Sequence, residues 1–158
     1  MIEFVLAATF IFVPMLAGLA TVGMSMVTAN QVASLNTSAG QMISFGVDFT
    51  NSANVAILQK IAGSLNTSTS GSGAVIVSEI DYSTSNGYIC SNQIIIPLNG
   101  GSVTSQYAPG QQVSSAFESL MPMSNGQIAY VAETSYNNPQ LAWVSSGTGG
   151  AIFAKGVF

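Results

Sequence analysis

The chain has 158 residues, and only 5% of them are charged, against roughly 25% in an ordinary soluble domain. Its two cations, Lys60 and Lys155, cannot neutralise a run of phosphates, which argues against nucleic-acid binding and against a polybasic membrane patch. There is no histidine and Cys90 is the single cysteine, which removes the commonest general base, an internal disulfide and any cysteine-based metal cluster.

Residues 4–27 are almost continuously apolar. As a helix they span about 36 Å, enough to cross a bilayer. Pro14, Gly18 and Gly23 are tolerated in such helices, and the proline is expected to kink the helix rather than end it. Ala7, Ala8, Ala17, Gly18, Ala20 and Gly23 permit close approach of neighbouring helices, although small residues are also merely frequent in membrane segments. No Lys or Arg flanks the segment to orient it. The expectation is that a basic leader has been removed, leaving Met1 as the mature N-terminus.

Glu3 is the one charge at this end. A carboxylate that enters hydrocarbon unpaired costs several kcal/mol. Pairing with the free α-amino group of a neighbouring copy answers that cost and fixes register between chains. The alternative is that Glu3 lies among headgroups and favours the first helical turn.

From residue 28 the helical period continues but becomes amphipathic. Val32, Leu35, Ala39, Met42, Phe45 and Phe49 form the expected inner stripe, with Asn30, Gln31, Ser34, Ser38, Gln41 and Ser44 falling largely between them. Gly46 is the expected break. Thr50, Asn51 or Ser52 caps a second helix whose inner face is Val55, Leu58, Ile61, Ala62 and Leu65.

Residues 66–73 read as a Ser/Thr/Gly linker. Residues 74–82 and 88–98 read as two strands joined by a hairpin at Asn86-Gly87. Residues 99–112 read as loop, 113–121 as a short helix with Phe117 and Leu120 inward, and 127–134 and 151–158 as two further strands. Residues 136–150 form a long loop bearing Trp143. The expected fold is α+β: a long N-terminal hydrophobic helix packed on a small antiparallel β-sheet head. It divides into residues 1–27 as membrane or filament-core helix, 28–65 as amphipathic continuation, and 66–158 as β-rich head.

Two N-x-S/T triplets, at Asn36 and Asn66, are possible glycosylation sites, although Asn, Ser and Thr are common enough here to produce them by chance. Glu79, Asp81, Glu118 and Glu133 are the acids available for calcium binding or acid/base work. Glu79 and Asp81 share a strand face, and a solvated outward face is the expectation for them. Cys90 is expected as a small hydrophobe in a strand, with an intersubunit disulfide as the alternative. No nucleophile elbow, phosphate loop or dinucleotide fingerprint is present. Neither catalysis nor a cofactor or metal is therefore expected.

Several segments carry a family resemblance. These are Glu3-Phe4-Val5-Leu6 followed by Pro14; residues 46–51 with the following helix over 54–65; residues 73–78; residues 126–133; and the closing residues 152–158. Taken together, the chain resembles type IV pilins in the broad sense, and within them the TadE-like proteins of tight-adherence pili. The acid lies third rather than at the pilins' usual fifth position, and Pro14 lies further from it than in TadE-like proteins. The low charge and the two triplets also suit an archaeal pilin.

The resemblance implies an extracellular filament subunit, inserted in the inner membrane before assembly and processed by a prepilin peptidase. It implies copies of the chain and the pilus assembly machinery as partners, with Met1, Glu3, Phe4, Pro14, Gly18 and Gly23 as assembly residues. A membrane-anchored minor pilin or tip adhesin, binding a surface ligand through residues 99–112 and 136–150, is the alternative it leaves open.

Overall fold

The computed structural model describes residues 2–67, 71–141 and 150–158, with side chains from Ala8 onward except those of residues 115 and 116. The first helix, α1, runs unbroken from Ile2 to Ser44 with Pro14 inside it. Its 43 residues amount to about 64 Å. It stops where the sequence supplies a residue free to adopt positive φ: Gly46 has φ 82°. Gly46 N donates to Ile43 O at 2.9 Å and Val47 N to Met42 O at 2.9 Å, the paired bonds of a Schellman cap. Met42 and Val47 both pack against the core, supplying the apolar contact that accompanies this cap.

The chain then turns back along α1. Asp48 accepts from Thr50 N at 2.8 Å, and Asn51 caps the next helix, α2 (Ser52–Ala62), by accepting from Ala53 N at 2.9 Å. A 3₁₀ turn, Gly63–Asn66, follows directly. Ser64 Oγ donates to Gln31 Oε1 at 3.3 Å and ties this turn to α1.

Four strands follow: β1 (Ser72–Ser83), β2 (Gly87–Leu98), β3 (Ile128–Asn137) and β4 (Ala151–Val157). They form one antiparallel sheet in the order β2-β1-β3-β4. Three residues, 84–86, close the β1–β2 hairpin, and Gly87 takes φ 71°. A bulge opposite Glu79 and Ile80 leaves Ser91 unpaired in the β1–β2 register. The fold is thus α+β, as expected, with β1 beginning earlier and β3 ending later than the sequence reading placed them.

Each face of the sheet is covered. The second half of α1 and α2 lie on one face, where Val32, Leu35, Ala39, Leu58 and Leu65 meet Val75, Val77, Ile96, Leu98 and Tyr136. Residues 99–127, including the short helix α3 (Ser115–Leu120), strap the other face and bury Tyr107 and Phe117 against Ile80, Tyr88, Cys90, Ala129 and Val131. This double cover explains why residues 74–77 are a run of apolar side chains rather than an alternating pattern: all four are buried.

Several expected inward residues point out. Phe45 is 85% exposed, because the helix has ended by that residue and the cap turns it away. Ile61 is half-exposed, since α2 seats Leu58 and Ala62, not Ile61, against the core. Leu120 is exposed, and of the two α3 residues expected inside only Phe117 is buried. Phe49 is buried, but from the connection after α1 rather than from its stripe.

Candidate assembly surface

The first half of α1 projects beyond the sheet. Eleven large apolar side chains between Phe10 and Val27 are exposed, and Phe10 reaches 77%. From Phe10 to Leu16 they follow one another almost without a gap, so the helix is bare all round rather than along one stripe. Full burial is worth roughly 1.5–3 kcal/mol per such side chain, and a bare surface of this extent marks a membrane or protein contact. One helix among the described residues, spanning Ala8–Ser44 in its side-chain-resolved part, is long and apolar enough to cross a membrane.

No charged residue occurs between Glu3 and Asp48. Four of the hydroxyls in this interval are satisfied within the helix. Thr21 Oγ1 donates to Ala17 O, and Thr28 Oγ1 to Met24 O, both at 2.8 Å. Thr37 donates to Ala33 O at 3.0 Å and Ser38 to Ser34 O at 2.9 Å. A hydroxyl bonded four residues back presents little unmet polarity to apolar surroundings.

Pro14 lies exposed within the continuous helix. No atom of the described chain lies within 4 Å of a Cβ built on Gly18 or Gly23. The described residues of the head therefore place no steric demand on these glycines. Met1 and the side chains of Glu3 and Phe4 lie outside the described residues, as does Trp143.

The second half of α1 is fastened to the sheet by two contacts that no sequence spacing signals. Asn36 is buried, and its Oδ1 accepts from Thr134 Oγ1 on β3 at 3.0 Å. The folded chain uses the side chain of Asn36, one of the two possible glycosylation sites, as a buried link between helix and sheet. Asn66 is half-buried and its Oδ1 accepts from Asn99 N at 2.7 Å, so it too has a structural role. The second contact is Phe158, whose ring lies over Gly40.

A polar cluster lies under the strap. Glu133 is fully buried and accepts from Ser105 Oγ, while Ser105 Oγ also accepts from Tyr107 N at 2.9 Å. Lys155, directly across from Glu133 in the β3–β4 register, donates to Tyr107 OH and sits 4.5 Å from that ring's centre. Gln93 Nε2 donates to Ser78 Oγ at 3.2 Å and to Tyr107 O. Tyr88 OH donates to Met121 O at 3.2 Å and accepts from Met123 N at 3.0 Å. These bonds hold the strap in place.

The acids do not converge. Glu79 and Asp81 share the helix-facing side of β1, as their spacing requires. Both are half-buried, Glu79 in a small hollow with Ile43 near the end of α1, rather than on a solvated outer face, a correction that follows from the helices covering that side. Glu133 points to the opposite face and Glu118 is exposed. Among the described residues no group of three or more His, Cys, Asp or Glu side chains is placed to hold a metal. Cys90 is buried in β2, and burial pushes its thiol above the ordinary value. That position removes it from reach of a second copy in the folded state.

Comparison with known proteins finds no matching family model, curated protein or solved structure.

Proposed function

We propose that this chain is a structural pilin-type subunit of an extracellular filament, held in the inner membrane by the first half of α1 before assembly. The observation that carries the reading is one continuous helix, without charge after Glu3, that is bare on every side from Phe10 to Leu16 and whose second half is docked on a compact head. A single bilayer crossing accounts for about 20 residues of it. The exposed side of the docked half, at Asn30, Ala33, Ser34, Thr37 and Gln41, is small and uncharged where a helix facing only water is usually charged. Contact with copies of the same helix accounts for both halves.

In this reading burial of the bare helix supplies adhesion. A Glu3 pair with a neighbouring N-terminus would set register. A prepilin peptidase and an assembly machine are the implied partners. The second reading, an anchored minor subunit or tip adhesin, is favoured by the same bare segment, since one bilayer crossing covers most of it.

Copy number separates the two. Filaments sheared from cells, imaged by electron microscopy and analysed by mass spectrometry, should contain this chain as the dominant protein. Filaments in which it is scarce, or a chain that stays with the membrane fraction, would overturn the structural-subunit reading.

A further inference from the structure

We propose that the neck of the molecule, where α1 leaves the head, is a groove that receives the bulky segment Phe10–Leu16 of a second copy's α1. This inference rests on the filament reading and names the contact that would build it. The Gln31–Ser64 hydrogen bond divides two adjoining hollows of about 400 and 470 Å³. Both fall within the range of built pockets, roughly 300–1,000 Å³. Val27, Gln31 and Ser64 line both of them, and among the described residues no charged one lines either. Ile57 and Ile61, one turn apart on α2, stand half-exposed, and Ile61 forms part of the wall. An apolar ridge beside an uncharged groove is the form of a helix-in-groove site.

The occupant follows from what the same chain leaves uncovered. Its own bare helix carries no charge beyond Glu3, so it matches the uncharged lining. Within that helix the stretch from Ala17 to Gly23 is rich in Ala and Gly, whereas Phe10–Leu16 holds the closely spaced bulky side chains that hollows of this size accept. The hydrogen-bonding groups of the wall, among them Thr28, Gln31 and Asn138, are all uncharged, so a charged, water-soluble partner would find no counter-charge there.

The geometry has an architectural consequence. Groove and plug lie on different parts of one helix, so the contact is head-to-tail and does not close on itself, which propagates a filament. From the middle of Phe10–Leu16 to the neck at residues 27–34 is about 17 residues, or about 26 Å of helix. Copies joined by this contact with parallel helices would be offset by that distance.

Cysteine cross-linking in filaments of the full chain tests the contact. Phe12→Cys and Ile61→Cys together in one chain should give, with a short bismaleimide, a ladder of dimers, trimers and higher species. Either variant alone should give no ladder, and a mixture of the two single variants should stop at dimers. Ser34→Cys with Phe12→Cys serves as the second pair if the first does not assemble. Filaments that form normally but yield no ladder with either pair, or whose Ile61→Cys is freely labelled by a water-soluble maleimide, overturn the neck contact and leave the filament reading standing. A native chain that forms no filaments overturns both.

Discussion

The ring of Phe158 occupies the space that a side chain at Gly40 would need. A Cβ built on Gly40 clashes with three atoms of that ring, and one built on Gly156 comes within 2.8 Å of it. The end of the chain is thereby seated on the middle of the docked half of α1, and it continues the sheet through mutual backbone bonds with Tyr130 at 2.8 and 3.0 Å.

Gly40→Ala is therefore expected to destabilise the fold by roughly 1–3 kcal/mol, the ordinary cost of overpacking, although alanine is the better helix former. In the Phe158→Ala background the same change should be nearly neutral or stabilising. A double-mutant cycle by denaturant unfolding in detergent measures this, and additive effects would refute the contact.

Asn36→Ala removes the acceptor of a buried hydroxyl, that of Thr134. The expected loss is about 1–3 kcal/mol, because Thr134 stays buried without its partner. Thr134→Val should recover part of it in the Asn36→Ala chain. The same burial predicts that any glycan found by peptide mass spectrometry on folded, secreted chain maps to Asn66 and not to Asn36.

The strap depends on Glu133. Glu133→Gln replaces a charge-assisted bond from Ser105 with a weaker one, and Ser105→Ala removes it. Losses of about 1.5–3 kcal/mol are expected for Ser105→Ala and less for Glu133→Gln. Hydrogen exchange should rise over residues 103–113 and remain unchanged over α1 and α2. Uniform exchange across the chain would mean that the cluster does not act locally.

Cys90 gives the fold an alkaline limit. Burial raises its folded pKa above the ordinary 9.0, so the unfolded thiol ionises first. Its contribution is fully present below pH 9.0 and is lost as pH climbs through the higher folded value. Stability should fall across that window, and the Cys90→Ala chain should fall less. Maleimide labelling at pH 7 should proceed only on unfolding; rapid labelling of the folded chain would contradict the burial.

The parts legible in the sequence are those governed by neighbours in the chain. Gly46, Asn51 and Asn86-Gly87 act through bonds spanning a few residues, and each marks its element in the structure. The bare helix was legible because a long uncharged apolar run has few other uses. The choice of face was less legible. Ile61 and Leu58 are equally apolar, and only the position of the sheet decides that Leu58 is inside. Phe117 reads as an inward residue of a short helix and is one, whereas residues 99–112 read only as loop, because Tyr107 finds most of its partners tens of residues away. Asn36 carries a modification triplet on its surface pattern, and nothing local reveals Thr134 above it.

The back-bonded hydroxyls of α1 bear on how such a helix could change surroundings. Thr21, Thr28, Thr37 and Ser38 each carry their hydrogen-bond partner with them, on the same helix. Moving the segment from lipid to a protein bundle breaks none of these bonds. Glu3 is the only ionisable side chain in α1. The two environments therefore differ for the rest of the helix chiefly in the shape of the apolar atoms around it. The transfer is close to an exchange between equals, poised so that small differences in fit set its direction.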